Sequence, residues 1–234
     1  MRLAATAALF AAVAASAQAS RVVTVGRSVE GRAIKAVVVG PRDAERNVLV
    51  VGSVHGNETA GHAVIRALRA RNASPARTAL WLIRSFNPDG VVRGTRQNAR
   101  GVDLNRQAPY RWRTLPRGTF YSGPRPLSEP ESRAAIRLVR RIRPAVSIWY
   151  HQALAIVGGD GPVERRYARA VGLPAGTIAG DYPGSITNWQ DHRFPEAGAF
   201  VVELAGGPLS RARTRRHVRA VVAAAREPVP RANA

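Results

Sequence analysis

From Arg21 onward, short β-branched and apolar runs alternate with longer stretches whose apolar positions recur every three or four residues. Arg21 to Val25 and Ala33 to Val39 read as two strands joined by a turn around Glu30-Gly31. Asn47 to Val51 reads as a buried strand that ends in Gly52-Ser53-Val54-His55-Gly56-Asn57-Glu58. The helix expected next carries Gly61, Val64, Ile65 and Leu68 at i, i+3, i+4 and i+7. Ala79 to Ile83 is a further strand, followed by a polar, Gly- and Arg-rich loop from Asn87 to about Pro126. Ser128-Glu129-Pro130-Glu131 has the spacing of a capping box, and the helix it opens would bury Ala135, Leu138, Val139 and Ile142. Ala145 to Tyr150 and Ala199 to Leu204 read as strands, with a short helix from Val163 to Val171 between them. A last helix, about Ser210 to Arg226, buries Val218, Val221, Val222 and Ala225 and turns its arginines outward. Strands alternating with helices predict right-handed crossovers. The expected fold is therefore α/β: one domain with a doubly wound, mostly parallel (mixed) sheet and helices on both faces.

Composition changes this picture little. The chain has 234 residues, of which 45% are hydrophobic and 22% charged, so disorder and collagen-like repeats are excluded. The charge is lopsided, with 36 Lys+Arg against 15 Asp+Glu and a formal net charge of +21. Lys35 is the only lysine. Such a balance points first to a nucleic-acid or membrane-surface binder, although near-total use of arginine also follows from codon bias in a GC-rich genome. Cysteine is absent, so there is no disulfide framework, thiol nucleophile or thiolate metal site.

The first nineteen residues read as a secretory signal peptide. Arg2 supplies the charged start, Leu3 to Ala15 the apolar run and Ala17-Gln18-Ala19 the cleavage site. Residues 20–227 are then the expected single folded domain and 228–234 a short tail, and the protein is expected to be exported, periplasmic or secreted. No later apolar run approaches the roughly 20 residues of a membrane span. Removing Arg2 leaves 35 basic residues against 15 acidic, or +20.

Ligands of open α/β sheets collect beyond the carboxyl ends of the strands. His55 and Glu58 follow one strand end, three residues apart, and His151 directly follows another. Two histidines and a carboxylate leave a fourth position open, as in catalytic zinc sites; the alternative for His55 and Glu58 is a helix start with a helpful acid. Glu203 ends the apolar run from Ala199 to Leu204, where burial raises a carboxyl's pKa unless a charge or metal compensates. It suits a general base, or a structural ion pair with an arginine. The loop from Gly94 to Arg106 supplies arginine forks suited to a free carboxylate, or merely solvated arginines.

Together these segments resemble the zinc carboxypeptidase family, in the family's order from about Gly26 to Leu204. They are Gly26 to Arg32, Gly52 to Glu58, Asn87-Pro88-Asp89-Gly90, Gly101 to Arg106, Ser128 to Glu131, His151 and Glu203. The resemblance implies one Zn2+ ion on His55, Glu58 and His151, Glu203 as the base that activates water, Arg96 as the group that polarises the scissile carbonyl, and Asn105 and Arg106 as the grip on a terminal carboxylate. Within the family, the Gly94 to Arg106 loop and Pro183-Gly184-Ser185-Ile186 before Trp189 are most similar to the bacterial murein peptide amidases. That implies a peptide or muropeptide substrate cut at the γ-D-glutamyl–diaminopimelate bond. Gln107-Ala108 stands where the family usually has Asn-Phe. Thr187 to Arg193 contains no tyrosine where digestive members carry a mobile one; Trp189 and Asp191 near that place are candidates for setting specificity.

Two other functions remain open at this point. One is an N-acyl amino acid deacylase of the same superfamily, which the leader and the Gly101 to Arg106 motif disfavour. The other is a non-catalytic protein that binds anionic wall polymers through its arginines, which the intact His55, Glu58, His151 and Glu203 disfavour; a loose attraction to such polymers fits either case. No nucleic-acid reader motif is present, and aromatic residues are only 6%. Oligomeric state is not legible.

Overall fold

The computed structural model describes residues 20–72 and 74–226. The expected signal peptide and the 228–234 tail lie outside the described residues. Seven strands form one mixed sheet: β1 Arg21–Arg27, β2 Ala33–Val39, β3 Arg46–Val51, β4 Thr78–Ile83, β5 Val146–Gly158, β6 Ala175–Gly176 and β7 Gly198–Ala205. Their order is β1-β2-β4-β3-β5-β6, with β7 also pairing β5. β1, β2 and β4 pair antiparallel, whereas β4, β3, β5, β6 and β7 pair parallel, so the parallel half of the sheet has the doubly wound form. Among the described residues, no helix is long and apolar enough to cross a membrane.

Both faces are covered, which is why the central strands read as unbroken apolar runs rather than alternating ones. Successive side chains still point to opposite faces. Val48, Val50, Leu80, Leu82, Ile148 and Tyr150 pack toward α1 Gly61–Arg71, α4 Pro162–Val171 and α6 Arg211–Ala224. Leu49, Val51, Trp81, Ile83 and Trp149 pack toward α3 Pro130–Ile142 and α5 Ile186–Arg193. The last helix buries Val218, Val221 and Val222 as its spacing predicts.

Three local expectations are corrected. The Asn87 to Pro126 segment is not all loop: it holds α2 Pro88–Arg93 and a 3-10 turn, Leu104–Arg106. Both are too short to show a period, although Asn87 caps α2 with Pro88 at its first position. Ser128 and Glu131 do not form a capping box. Ser128 Oγ donates to Glu129 Oε1, and Glu131 Oε1 accepts the Val29 N–H at 2.9 Å, tying α3 to the β1–β2 turn. Finally, β5 does not stop at Tyr150 but runs through His151 to Gly158, its pairing to β7 slipping beyond Ala153.

Much of the Gly26 to Arg32 and Asn87 to Gly90 sequence proves to be scaffold beneath the site. Asp89 is fully buried and accepts from Ser28 Oγ at 2.7 Å, the Glu30 N–H at 3.0 Å and Arg32 Nη1 at 2.7 Å. Asn87 Nδ2 donates to the carbonyl of Arg96 at 3.1 Å, fixing the loop that carries this arginine. Gly56 makes the same region possible, because a Cβ there would stand 2.0 Å from the backbone of Gly90.

Candidate metal centre and active site

The turn between β3 and α1 places His55 and Glu58 beyond the carboxyl end of β3. Parallel pairing sets His151 of β5 directly opposite Glu203 of β7. These four side chains therefore meet at the switch point of the sheet, where α/β folds place ligands.

His55 Nδ1 lies 2.8 Å from Glu58 Oε1, His151 Nδ1 lies 2.9 Å from Glu58 Oε2, and the two Nδ1 atoms are 3.2 Å apart. Donor atoms of all three residues fall within 4.8 Å of one another, and all three residues are buried. A nitrogen pair at that spacing approximates the edge of a tetrahedron with Zn–N bonds of about 2.0–2.1 Å. His55 Nε2 faces Asp103 Oδ1 at 3.0 Å, which assigns the ring proton to Nε2 and turns the Nδ1 lone pair inward. The arrangement of an imidazole, its supporting carboxylate and an inward lone pair fits zinc. Burial opposes charge on His55, but Asp103 and Glu58 outweigh it and raise the pKa of this histidine. Burial likewise works against the Glu58 carboxylate, yet hydrogen bonds from His151 and His55 hold its pKa well below the usual range. Asp103 also stays ionised despite burial, through His55, Arg96 and Arg106.

Asp103 was not singled out from sequence, although it sits inside the Gly101 to Arg106 motif. Second-layer carboxylates of this kind set ligand orientation. Asp103→Asn is expected to weaken zinc binding about 10- to 100-fold, measured by competition with a chromogenic chelator; unchanged affinity would show that the pair is only structural. Gln152 is the other residue that sequence left unmarked. Its N–H donates to Glu58 Oε2 at 3.2 Å, and its side chain accepts from the Ala60 N–H at 3.0 Å and donates to the carbonyls of Ala205 at 3.1 Å and Gly207 at 3.0 Å. It staples the His55–Ala60 turn to the exit of the Glu203 strand.

Glu203 is in a different state from the other acids. Burial raises its pKa, His151 pulling it down and Glu58 pushing it up, and its Oε2 has no hydrogen-bond partner. Facing it, Arg96 pairs Nε and Nη2 with Asp103 Oδ2 at 3.1 and 2.9 Å and keeps Nη1 3.1 Å from Glu58 Oε1. Arg106 is 4% exposed, held between the Phe120 and Tyr182 rings at 5.4 and 5.2 Å. Burial lowers its pKa, with Asp103 opposing that shift. Asn105 accepts the Ile186 N–H through Oδ1 at 3.1 Å.

His55, Glu58, His151, Arg96, Asn105, Arg106 and Glu203 all line one cavity of about 420 Å3. Glu164 and Asp191 also line it. Trp189 is not part of it. The indole is 3% exposed in the core, edge-on to Phe194 at 6.0 Å, because the turn of α5 that sends Trp189 inward sends Asp191 toward the cavity. The candidate specificity residue on α5 is thus Asp191. Sequence gave α5 no element at all, since Thr187 and Gln190 are buried polar residues that blur its apolar face.

The zinc carboxypeptidase family profile matches residues 6–157, about two thirds of the chain. The chain belongs to the zinc carboxypeptidase family. His55, Glu58, Arg96, Asn105, Arg106 and His151 fall within the match, whereas Glu164, Asp191 and Glu203 lie beyond it. Murein peptide amidase A of Escherichia coli K12 is 32% identical over 165 residues, covering 64% of this chain and 68% of the relative. Murein peptide amidase A of Vibrio campbellii is 34% identical over 185 residues, covering 70% and 72%. Among solved structures, the murein-tripeptide amidase of Escherichia coli O157 matches with a TM-score of 0.72 at 27% identity, over 91% of this chain and 94% of that one. Carboxypeptidase A of Helicoverpa armigera, at 18% identity and a TM-score of 0.74, shares the fold. The chain is a zinc hydrolase of this family, close in sequence to the murein peptide amidases.

Proposed function

We propose that this zinc carboxypeptidase is exported and hydrolyses an amide bond beside a free carboxylate in cell-wall peptides, at the γ-D-glutamyl–diaminopimelate linkage. The observation that carries the proposal is the convergence, in one cavity, of a two-histidine, one-carboxylate metal trio, a Glu203 whose Oε2 has no hydrogen-bond partner among the described residues, and a buried Arg106. Zinc held by His55, Glu58 and His151 supplies Lewis-acid polarisation and acidifies water. The rest falls to the chain. Glu203, its basicity raised by burial, takes the proton of the attacking water and returns it to the leaving amine. Arg96 Nη1 stabilises the developing oxyanion, and Arg106 with the Asn105 amide holds the terminal carboxylate.

The two further acids lining the cavity, Glu164 and Asp191, support diaminopimelate as the leaving group, because its side chain ends in a second ammonium and carboxylate. Asp191 is exposed as a residue, but partial desolvation of its carboxyl, with help from Glu164 and against the Ala199 N–H, pushes it up to about 7. Burial also raises Glu164. Two acids whose carboxyls are held more protonated than usual are matched by an incoming cation. An ammonium favours the ionised form, so binding strengthens as Asp191 deprotonates. KM for a diaminopimelate-ending peptide is expected to fall as pH rises through about 7, and Asp191→Asn should flatten that dependence; an equally steep profile in the variant would remove Asp191 from specificity. The substrate assignment is tested by offering L-Ala-γ-D-Glu-diaminopimelate and ordinary C-terminal peptides and identifying products by mass. Release of diaminopimelate alone is expected; release of C-terminal amino acids from ordinary peptides instead would make it a general carboxypeptidase.

A further inference from the structure

A second depression, of about 640 Å3, opens beside the first. It is lined by Asn57 before α1, His62 and Arg66 on α1, Arg84 just past β4, and Leu209, with no carboxylate on its walls among the described residues. Gln152 is the one residue that lines both this groove and the active-site cavity. Asn105 and Arg106, the groups proposed to hold the leaving-group carboxylate, line only the cavity. A substrate that fills the cavity and passes the metal trio therefore carries its acyl part over Gln152 and into the groove.

The groove is built to present a guanidinium. His62 is 3% exposed, and its Nε2 lies 3.0 Å from Ser53 Oγ, itself fully buried. Arg84 Nε donates to His62 Nδ1 at 3.3 Å, so the ring must be neutral, its proton on Nε2 toward Ser53. Burial, then the Arg84 and Arg66 cations, hold His62 down at about 4, so it remains an acceptor throughout the neutral range. Arg84 is thus anchored by its Nε, leaving both Nη groups for a fork onto an anion. Arg66 stands beside it, and among the described residues neither arginine is paired with a carboxylate.

We infer that this groove is the acyl-side subsite, in which Arg84, assisted by Arg66, binds a substrate carboxylate. Resting on the proposed cleavage, that carboxylate is the α-carboxylate of the glutamyl residue, which a γ-linkage leaves free on the acyl side, beyond two methylenes from the scissile carbonyl. An amidated, isoglutaminyl substrate would present a neutral carboxamide in its place and lose the fork.

The test compares L-Ala-γ-D-Glu-diaminopimelate with its glutamyl α-carboxamide counterpart, in the zinc-loaded wild-type protein and in Arg84→Gln. The wild type is expected to show about a tenfold lower KM for the acid than for the amide, and Arg84→Gln to abolish that preference. A wild type indifferent to amidation, or a variant that keeps the preference, overturns the inference. Calorimetric binding of L-Ala-D-Glu and L-Ala-D-isoglutamine decides the same point without turnover. If the wild type cleaves neither peptide yet binds the acid about tenfold more tightly through Arg84, the proposed reaction fails and the carboxylate subsite stands. Arg84-dependent binding of inorganic phosphate, with no discrimination between the two dipeptides, overturns it.

Discussion

Replacing Glu203 by Gln is expected to lower kcat by about 10³-fold, within the roughly 10²- to 10⁴-fold range of general acid–base catalysis, while one zinc ion stays bound. The substitution keeps shape and burial but removes the lone pair that takes the proton. Glu203 touches the metal trio only through its neighbours: it sits across the strand pair from His151, and its free Oε2 has no partner to lose. Zinc content by atomic emission and kcat on a diaminopimelate-ending peptide measure the two halves separately. Loss of zinc in the variant would make Glu203 a ligand, and near-full activity would remove it from the reaction.

The second large effect is expected at Arg96. Arg96→Gln removes the Nη1 donor beside Glu58 and should cost about 10²- to 10³-fold in kcat, the usual worth of one oxyanion donor. Because Arg96 also pairs with Asp103, part of the loss could come through His55. Zinc affinity separates the two: a fall in kcat at saturating zinc, with KM nearly unchanged, is the signature of transition-state stabilisation. A variant whose rate is restored by excess zinc would place Arg96 in the support of the metal centre instead.

The parts legible in the sequence were those with a period or a fixed local spacing. Buried runs such as Asn47 to Val51 and the amphipathic spacing of α1, α3 and α6 located the layers of the fold, because burial on one or both faces leaves a repeat in the chain. His55 and Glu58 were legible because they stand three apart in the turn after a strand, and His151 because it ends a largely apolar run. Partners brought in by long-range contact left no such mark. Asp103 reaches His55 from 48 positions away, and Gln152 joins three segments through one amide. The misplaced expectations have the same origin. Ser128 and Glu131 satisfy a local template, but Ser128 Oγ turns to its neighbour Glu129 and to the distant Gln107, and Glu131 accepts from the distant Val29. Trp189 and Asp191 are neighbours in sequence on opposite faces of α5, and only the packing of Trp189 against Phe194 decides which one meets the cavity. The excess charge, the most conspicuous feature of the composition, proved least informative. α1, α4 and α6 each carry arginines at exposed positions, whereas Arg106 acts from a buried one.

The most direct test of the central claim is a zinc titration of the metal-stripped protein, followed by the release of diaminopimelate from L-Ala-γ-D-Glu-diaminopimelate. Activity should rise in proportion to zinc and level off at one equivalent, and Glu58→Gln should abolish the rise. Diaminopimelate release that is independent of zinc, or that persists unchanged in Glu58→Gln, would contradict the assignment of His55, Glu58 and His151 as the catalytic metal centre.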